Sequence, residues 1–246
     1  ARQKDFKIVF TPIHGTGVKL VPDVLNMFGF KNVYLVEEQS EPKGNGNFPT
    51  VKSPNPEETA ALEMAINKAK SIDADIVMAT DPDADRVGIA VKDGNDFVLL
   101  NGNQAASLLI YYLLKKWEEN GKLTGKEFIV KTIVTSELLI DIAKKYNVNY
   151  FDVLTGFKYI ADIIKQLEGQ QNFIGGGEES YGYLVGDFVR DNDAVSSCAM
   201  IAETAVWAKD QGLTMLELLK HLYVEFGFYK EKLISVVRKG KSGAEE

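Results

Sequence analysis

The sequence predicts an α/β protein: two consecutive α/β domains, each with a mostly parallel, mixed sheet flanked by helices. Short β-rich runs alternate with longer helical patterns from residue 6 onward, and the alternation restarts after residue 100. With 246 residues, of which 45% are hydrophobic and 26% charged, the chain can build one large core or two small ones, and collagen, coiled coil and disorder are excluded. The expected division is a first domain over 1–101, a second over 102–232, and a linker or frayed tail over 233–246, where the chain turns charged and glycine-containing.

Residues 6–10 (Phe-Lys-Ile-Val-Phe) alternate as a strand and lead into the loop Thr11-Pro12-Ile13-His14-Gly15-Thr16-Gly17. A helix is expected over 22–28, with Pro22 near its start and Gly29 as its stop. Residues 33–36 read as a second strand, followed by a breaker-rich loop over 38–53. Asn55-Pro56-Glu57-Glu58 has the form of a helix start, with Asn55 as cap, for a helix reaching Lys70. A third strand over 75–79 runs into an acidic loop, and 87–92 with 97–100 form a hairpin around Asp93-Gly94-Asn95-Asp96.

Beyond residue 100 the pattern predicts a helix over 103–119, a strand over 127–132, a helix over 136–146, a strand over 148–154 and a helix over 159–167. A strand over 172–175 enters the loop Gly176-Gly177-Glu178-Glu179-Ser180-Tyr181-Gly182. Helices over 193–209 and 214–226 close the pattern, the second opened by the capping box Thr214-Met215-Leu216-Glu217.

The balance of 28 Lys and Arg against 35 Asp and Glu, a net charge of −7, argues against a nucleic-acid partner. The longest nearly unbroken apolar run, 105–114, is about half of the ~20 residues a membrane-spanning helix needs, so no membrane partner is expected. No secretory leader is visible, and the opening Ala1-Arg2-Gln3-Lys4-Asp5 reads as the middle of a longer protein. The single cysteine, Cys198, lies in an apolar segment and reads as a small buried hydrophobe, which fits a reducing cytoplasm.

The sharpest chemical signal is Asp81-Pro82-Asp83-Ala84-Asp85-Arg86. Three carboxylates at alternate positions of one turn can converge on a hard cation such as Mg2+, at the C-terminal end of a strand where open α/β sheets bind ligands. The alternative is a solvated acidic turn. An EF-hand is excluded, because its sixth position would be Arg86 and its twelfth Lys92. In the second signal, the loop around Gly177, Glu178 and Ser180, glycines permit close backbone approach and a carboxylate and hydroxyl can hold vicinal sugar hydroxyls; the alternative is a connecting loop with solvated glutamates. Lys131 and Lys158 are weaker candidates for substrate cations. His14 could touch a phosphate but reads more simply as a hydrogen-bonded turn residue. Arg190-Asp191-Asn192-Asp193 could anchor its loop or cap the following helix, and His221 reads as structural.

Together these motifs resemble the α-D-phosphohexomutase family of phosphoglucomutases and phosphomannomutases. Asp81, Asp83, Asp85 and Arg86 match its Asp-x-Asp-x-Asp-Arg metal loop, and Gly177, Glu178 and Ser180 match its Gly-Glu-x-Ser sugar loop. Thr155-Gly156-Phe157-Lys158 and Thr135-Ser136 look like the phosphoglucomutase branch. The serine loop of the family's first domain and the phosphate-gripping loop of its fourth have no counterpart here, so the resemblance implies domains two and three of a longer mutase, with the first and fourth domains as partners. It further implies Mg2+ on Asp81, Asp83 and Asp85, catalytic roles for Arg86 and Lys158, and substrate contacts from Glu178, Ser180 and Lys131. The substrates would be a sugar phosphate and a sugar bisphosphate, hexoses first, with pentose or mannose phosphates as alternatives. Two readings of other classes are a haloacid dehalogenase-type phosphatase, whose aspartates should follow the first strand rather than the third, and a non-catalytic module that binds metal and sugar.

Overall fold

The structure is a computed structural model that describes residues 2–232; the tail expected over 233–246 lies outside the described residues. Its first sheet has the order β2-β1-β3-β4-β5. The strands are β1 (Lys7–Thr11), β2 (Asn32–Leu35), β3 (Ile76–Thr80), β4 (Val87–Asp93) and β5 (Asp96–Leu100). β1 runs parallel to β2 and β3, and β4 is antiparallel to both β3 and β5. The second sheet comprises β6 (Glu127–Thr132), β7 (Asn149–Val153), β8 (Asn172–Gly177) and β9 (Tyr183–Val185), in the order β7-β6-β8-β9. β6 is parallel to β7 and β8, and β9 is antiparallel to β8.

Seven helices flank the sheets among the described residues: α1 (Gly17–Met27), α2 (Thr59–Ile72), α3 (Gly102–Glu119), α4 (Leu138–Lys145), α5 (Phe157–Gln166), α6 (Ala194–Asp210) and α7 (Met215–Phe226). The period-two alternation of the first sheet sorts its two faces. Ile8, Phe10, Ile76, Met78, Ile89 and Val91 join one cluster, while Val9, Val77, Ala79 and Ala90 face α2 in another. A third cluster packs α5 against Phe128, Val130 and Phe173 of the second sheet.

The first of these clusters is continuous through both halves. It contains Val21 and Leu25 of α1, Cys198 and Ile201 of α6, and Ile129 and Ile174 of the second sheet. α6, which follows the second sheet in sequence, packs on α1, β3 and β4 of the first. The chain therefore returns to its first half after building its second, and this return brings the loops of the two halves together.

Three expectations shift. α1 begins at Gly17, five residues before Pro22, which sits inside the helix. The missing Pro22 amide forfeits one helical bond, and burial of Val21 and Leu25 on either side of it offsets that loss. α2 begins at Thr59 rather than at the expected Asn55 cap. Asn55 instead closes a separate turn, its Oδ1 accepting the Glu57 amide at 3.0 Å. The short strand β9 was not expected; its three residues are too few to show a period. The capping box of Thr214 and Glu217 forms as expected, and a second, Asn101 with Gln104, opens α3.

Candidate functional site

The acidic loop leaves the C-terminal end of β3 and returns as β4, so its ends are fixed by a five-pair antiparallel ladder. Ala84 at its tip holds a left-handed backbone, φ 58°. The loop over 11–17 packs on it: the Thr16 amide and hydroxyl both donate to the Pro82 carbonyl, at 2.8 and 3.0 Å. Gly15 is required there, since a Cβ would stand 2.4 Å from the Pro82 Cα.

Asp81, Asp83 and Asp85 each turn one carboxylate oxygen to a common point, all within 4.8 Å of one another. Asp81 is buried; its Oδ1 accepts the amides of Asp85 and Arg86 at 3.2 and 3.0 Å, and its Oδ2 accepts Arg86 Nε at 2.7 Å. Burial, reinforced by the neighbouring Asp85 carboxylate and opposed by Arg86, raises the Asp81 pKa above the usual carboxylate range. Asp85 Oδ1 is buried with no hydrogen-bond partner, with Arg86 Nε at 3.6 Å. Three hard oxygen donors in reach of one point, one of them lacking a donor, suit a magnesium ion. The loop opens onto a cleft of about 570 Å³ lined by Thr16, Ser53, Asn55, Asp81, Asp83 and Arg86.

Arg86 is held by Asp81 on one side and by Glu57 on the other, Nη1 to Oε1 3.4 Å. Burial works against its charge, but Asp81, Asp85 and Glu57 outweigh it, and the guanidinium holds its proton more tightly than usual. Burial raises the Glu57 pKa, with Arg86 opposing and Glu179 adding to the effect.

The glycine-rich loop joins β8 to β9. Glu178 is buried, and its Oε1 accepts the Gly156 amide at 2.9 Å, which ties the Thr155 to Lys158 segment to this loop. Glu179 Oε2 accepts the hydroxyls of Thr132 and Thr135 at 3.1 and 3.0 Å. Ser180 is half-buried, and Tyr181 beside it holds φ 73°, an uncommon conformation for a non-glycine residue.

The two loops meet. Arg86 and Gly182 form an antiparallel bridge, the Val87 amide donates to the Tyr181 carbonyl at 3.0 Å, and the Ala194 amide at the start of α6 donates to the Ala84 carbonyl at 3.1 Å. Asp81, Asp83, Asp85, Arg86, Glu178 and Ser180 thus lie on two loops joined backbone to backbone.

The lysines divide. Lys158 is exposed on the first turn of α5, beside Arg190 in an open basin and with its ammonium 5.0 Å from the Tyr159 ring centroid. Lys131 is buried, and its ammonium is taken by Glu137 at 2.9 Å, Asp152 at 2.8 Å and the carbonyls of Thr135 and Thr132 at 3.1 and 3.3 Å. The ammonium of Lys131, expected as a substrate contact, is engaged by four oxygens of this chain. His14 is also internal, its Nδ1 2.7 Å from Glu41 and its Nε2 2.8 Å from the Thr50 hydroxyl, and it pins the loop over 38–53. Arg190 pairs with Glu168, and Asp193 caps α6. Glu57 pairs with Arg86 although its Asn-Pro-Glu setting reads as an ordinary helix start.

The profile of phosphoglucomutase/phosphomannomutase, alpha/beta/alpha domain II, matches residues 1–94, and that of domain III matches residues 101–226. The phosphoglucomutases of Staphylococcus haemolyticus and Staphylococcus epidermidis are each 40% identical to the chain, over 99% and 98% of it, and the chain spans only 44% and 43% of their lengths. A phosphoglucomutase/phosphomannomutase family protein of Burkholderia thailandensis shares the fold with a TM-score of 0.69 at 21% identity, covering 88% of this chain and 42% of its own. The N-acetylphosphoglucosamine mutase of Aspergillus fumigatus, solved with GlcNAc-6P and magnesium, aligns with a TM-score of 0.58 at 15% identity, over 87% of this chain and 45% of its own.

Proposed function

The chain belongs to the phosphoglucomutase/phosphomannomutase family, and from that premise we propose that it is the central part of a magnesium-dependent, cytoplasmic phosphosugar mutase, its residues 1–101 and 102–232 acting as two of the enzyme's domains. The enzyme interconverts hexose 1-phosphate and 6-phosphate, with glucose the favoured sugar, through a phosphoserine carried outside this chain and a bisphosphate intermediate. The observation that carries this reading is the bridge between Arg86 and Gly182, which joins the loop of three converging carboxylates backbone to backbone with the sugar-type loop.

Asp81, Asp83 and Asp85 are the residues that would hold magnesium, as the carboxylates of a hard-cation site. Bound there, the ion supplies charge neutralisation for a transferring phosphoryl group. Arg86 presents a fixed positive charge to the same group. Glu178 and Ser180 accept and donate hydrogen bonds to vicinal hydroxyls, and the Gly156 tie holds Glu178 in place for that task. Lys158, exposed on the first turn of α5, is the cation that reaches the sugar phosphate. Lys131 supports the floor of the loop. Such a site does little covalent chemistry itself; positioning and electrostatics do the work.

The test is a coupled assay on the full-length protein with glucose 1-phosphate and a glucose 1,6-bisphosphate activator. Turnover supports the reading, and activity on pentose phosphates alone overturns the hexose assignment within the same class. The isolated 246-residue chain should give no turnover. Hydrolysis of sugar phosphates by the isolated chain, with an acid-labile aspartyl-phosphate, would favour a phosphatase instead.

A further inference from the structure

Glu57 belongs to neither loop motif, yet its carboxylate reaches Arg86, Oε1 lying 3.4 Å from Nη1. Its position is built rather than incidental. The Asn55 side chain and carbonyl accept the amides of Glu57 and Glu58 at 3.0 and 3.1 Å, closing a tight turn ahead of α2. The Pro56 carbonyl is pressed against β4 at Gly88, where a Cβ would stand 2.4 Å from it. Only glycine two residues after Arg86 lets the turn come this close.

A guanidinium anchored only through Nε still turns about its side-chain torsions. Here Asp81 binds Nε at 2.7 Å and Glu57 binds Nη1, two carboxylates from separate segments, which fixes the plane of the group. The other acid in reach is Asp85, 3.6 Å from Nε. Without Glu57 the guanidinium is free to fold onto Asp85 and away from the cleft that Arg86 lines. From this geometry we propose that Glu57 is a positioning residue for phosphoryl transfer: it holds the Arg86 guanidinium in place at the cleft, so that the charge meets an incoming phosphoryl oxygen without rearrangement. The inference rests on the mutase reading above.

Two measurements test it. In the 246-residue chain, nitrogen-resolved NMR follows rotation of the Arg86 guanidinium about its Cζ–Nε bond. Glu57→Gln should speed that rotation at least tenfold; an unchanged rate overturns the proposal. In the full-length protein, Glu57→Gln should lower kcat by about ten- to a hundredfold while KM stays level or falls, because one negative charge near the phosphate is removed as order is lost. Retained kcat, or a loss shared between a raised KM and a lowered melting temperature, marks Glu57 as merely structural. Absence of turnover in the wild-type full-length protein would sink the mutase reading instead, and the Arg86 rotation would still decide whether Glu57 positions the arginine.

Discussion

Arg86 and Gly182, from opposite halves of the chain, pair as an antiparallel bridge, with the Val87 amide bonded to the Tyr181 carbonyl beside it. The bridge carries the line of β4 across to the glycine-rich loop, so the acidic loop and the glycine-rich loop cannot move far apart without breaking backbone hydrogen bonds. Each such bond contributes about 1 kcal/mol net when made and costs more when a buried partner is orphaned.

Asp83 is the exposed member of the three converging carboxylates. Asp83→Asn should weaken magnesium binding at least tenfold, about 1.4 kcal/mol, without lowering the melting temperature, since an exposed side chain carries little of the fold. Calorimetric titration of both proteins decides it; equal affinities would return the loop to the status of an acidic turn.

Gly102 opens α3 under the glycine-rich loop. A Cβ there would lie 1.8 Å from the Glu179 carbonyl oxygen, and the buried Tyr183 hydroxyl donates to the Gly102 carbonyl at 3.1 Å. Backbone, not a flexible side chain, is what the methyl meets. Gly102→Ala should therefore destabilise the chain by about 1–3 kcal/mol or more, read from urea denaturation. An unchanged midpoint would mean that this loop yields freely.

Lys131→Met keeps the aliphatic stem but removes the ammonium that Glu137, Asp152 and two carbonyls share. The Glu137 carboxylate is largely exposed and that of Asp152 partly so, and both can recover water, so the cost should be about 1–3 kcal/mol, below that of breaking a fully buried pair. Chemical denaturation measures it. Full stability combined with a selective loss of sugar-phosphate affinity would restore Lys131 as a direct ligand.

Cys198 is fully buried in the cluster shared by both halves, and burial pushes its thiol pKa well above the usual value. It should not react with a water-soluble aromatic disulfide in the native state and should react completely in denaturant. The rate in native buffer then reports opening of the shared core; prompt labelling would contradict a closed core.

Much of the fold was legible because its signals are local. β6 falls on the residues that the alternation indicates, and Thr214 with Glu217 forms the capping box that four consecutive residues spell out. Boundaries failed where a distant segment intervened. Asn55 looks like a helix cap, but the Pro56 carbonyl seats on Gly88 and Glu57 turns to Arg86, so the helix waits until Thr59. Pro22 looks like a helix start, but buried Val21 and Leu25 hold the helix together through it.

The sequence by itself determined the α/β alternation and the spacing of Asp81, Asp83 and Asp85 on one turn, since both depend on neighbours within a few residues. Tertiary structure decided the surroundings of each candidate side chain. Lys131 and Lys158 are both lysines near a strand or helix end, yet one is enclosed by four oxygen partners and the other stands in solvent. Glu57 becomes a partner of Arg86 because the Pro56 carbonyl seats on Gly88, and Gly182 meets the acidic loop where α6 returns to pack on α1, β3 and β4. Burial and charge pairing are set by segments far apart in the chain, and no local pattern contains them.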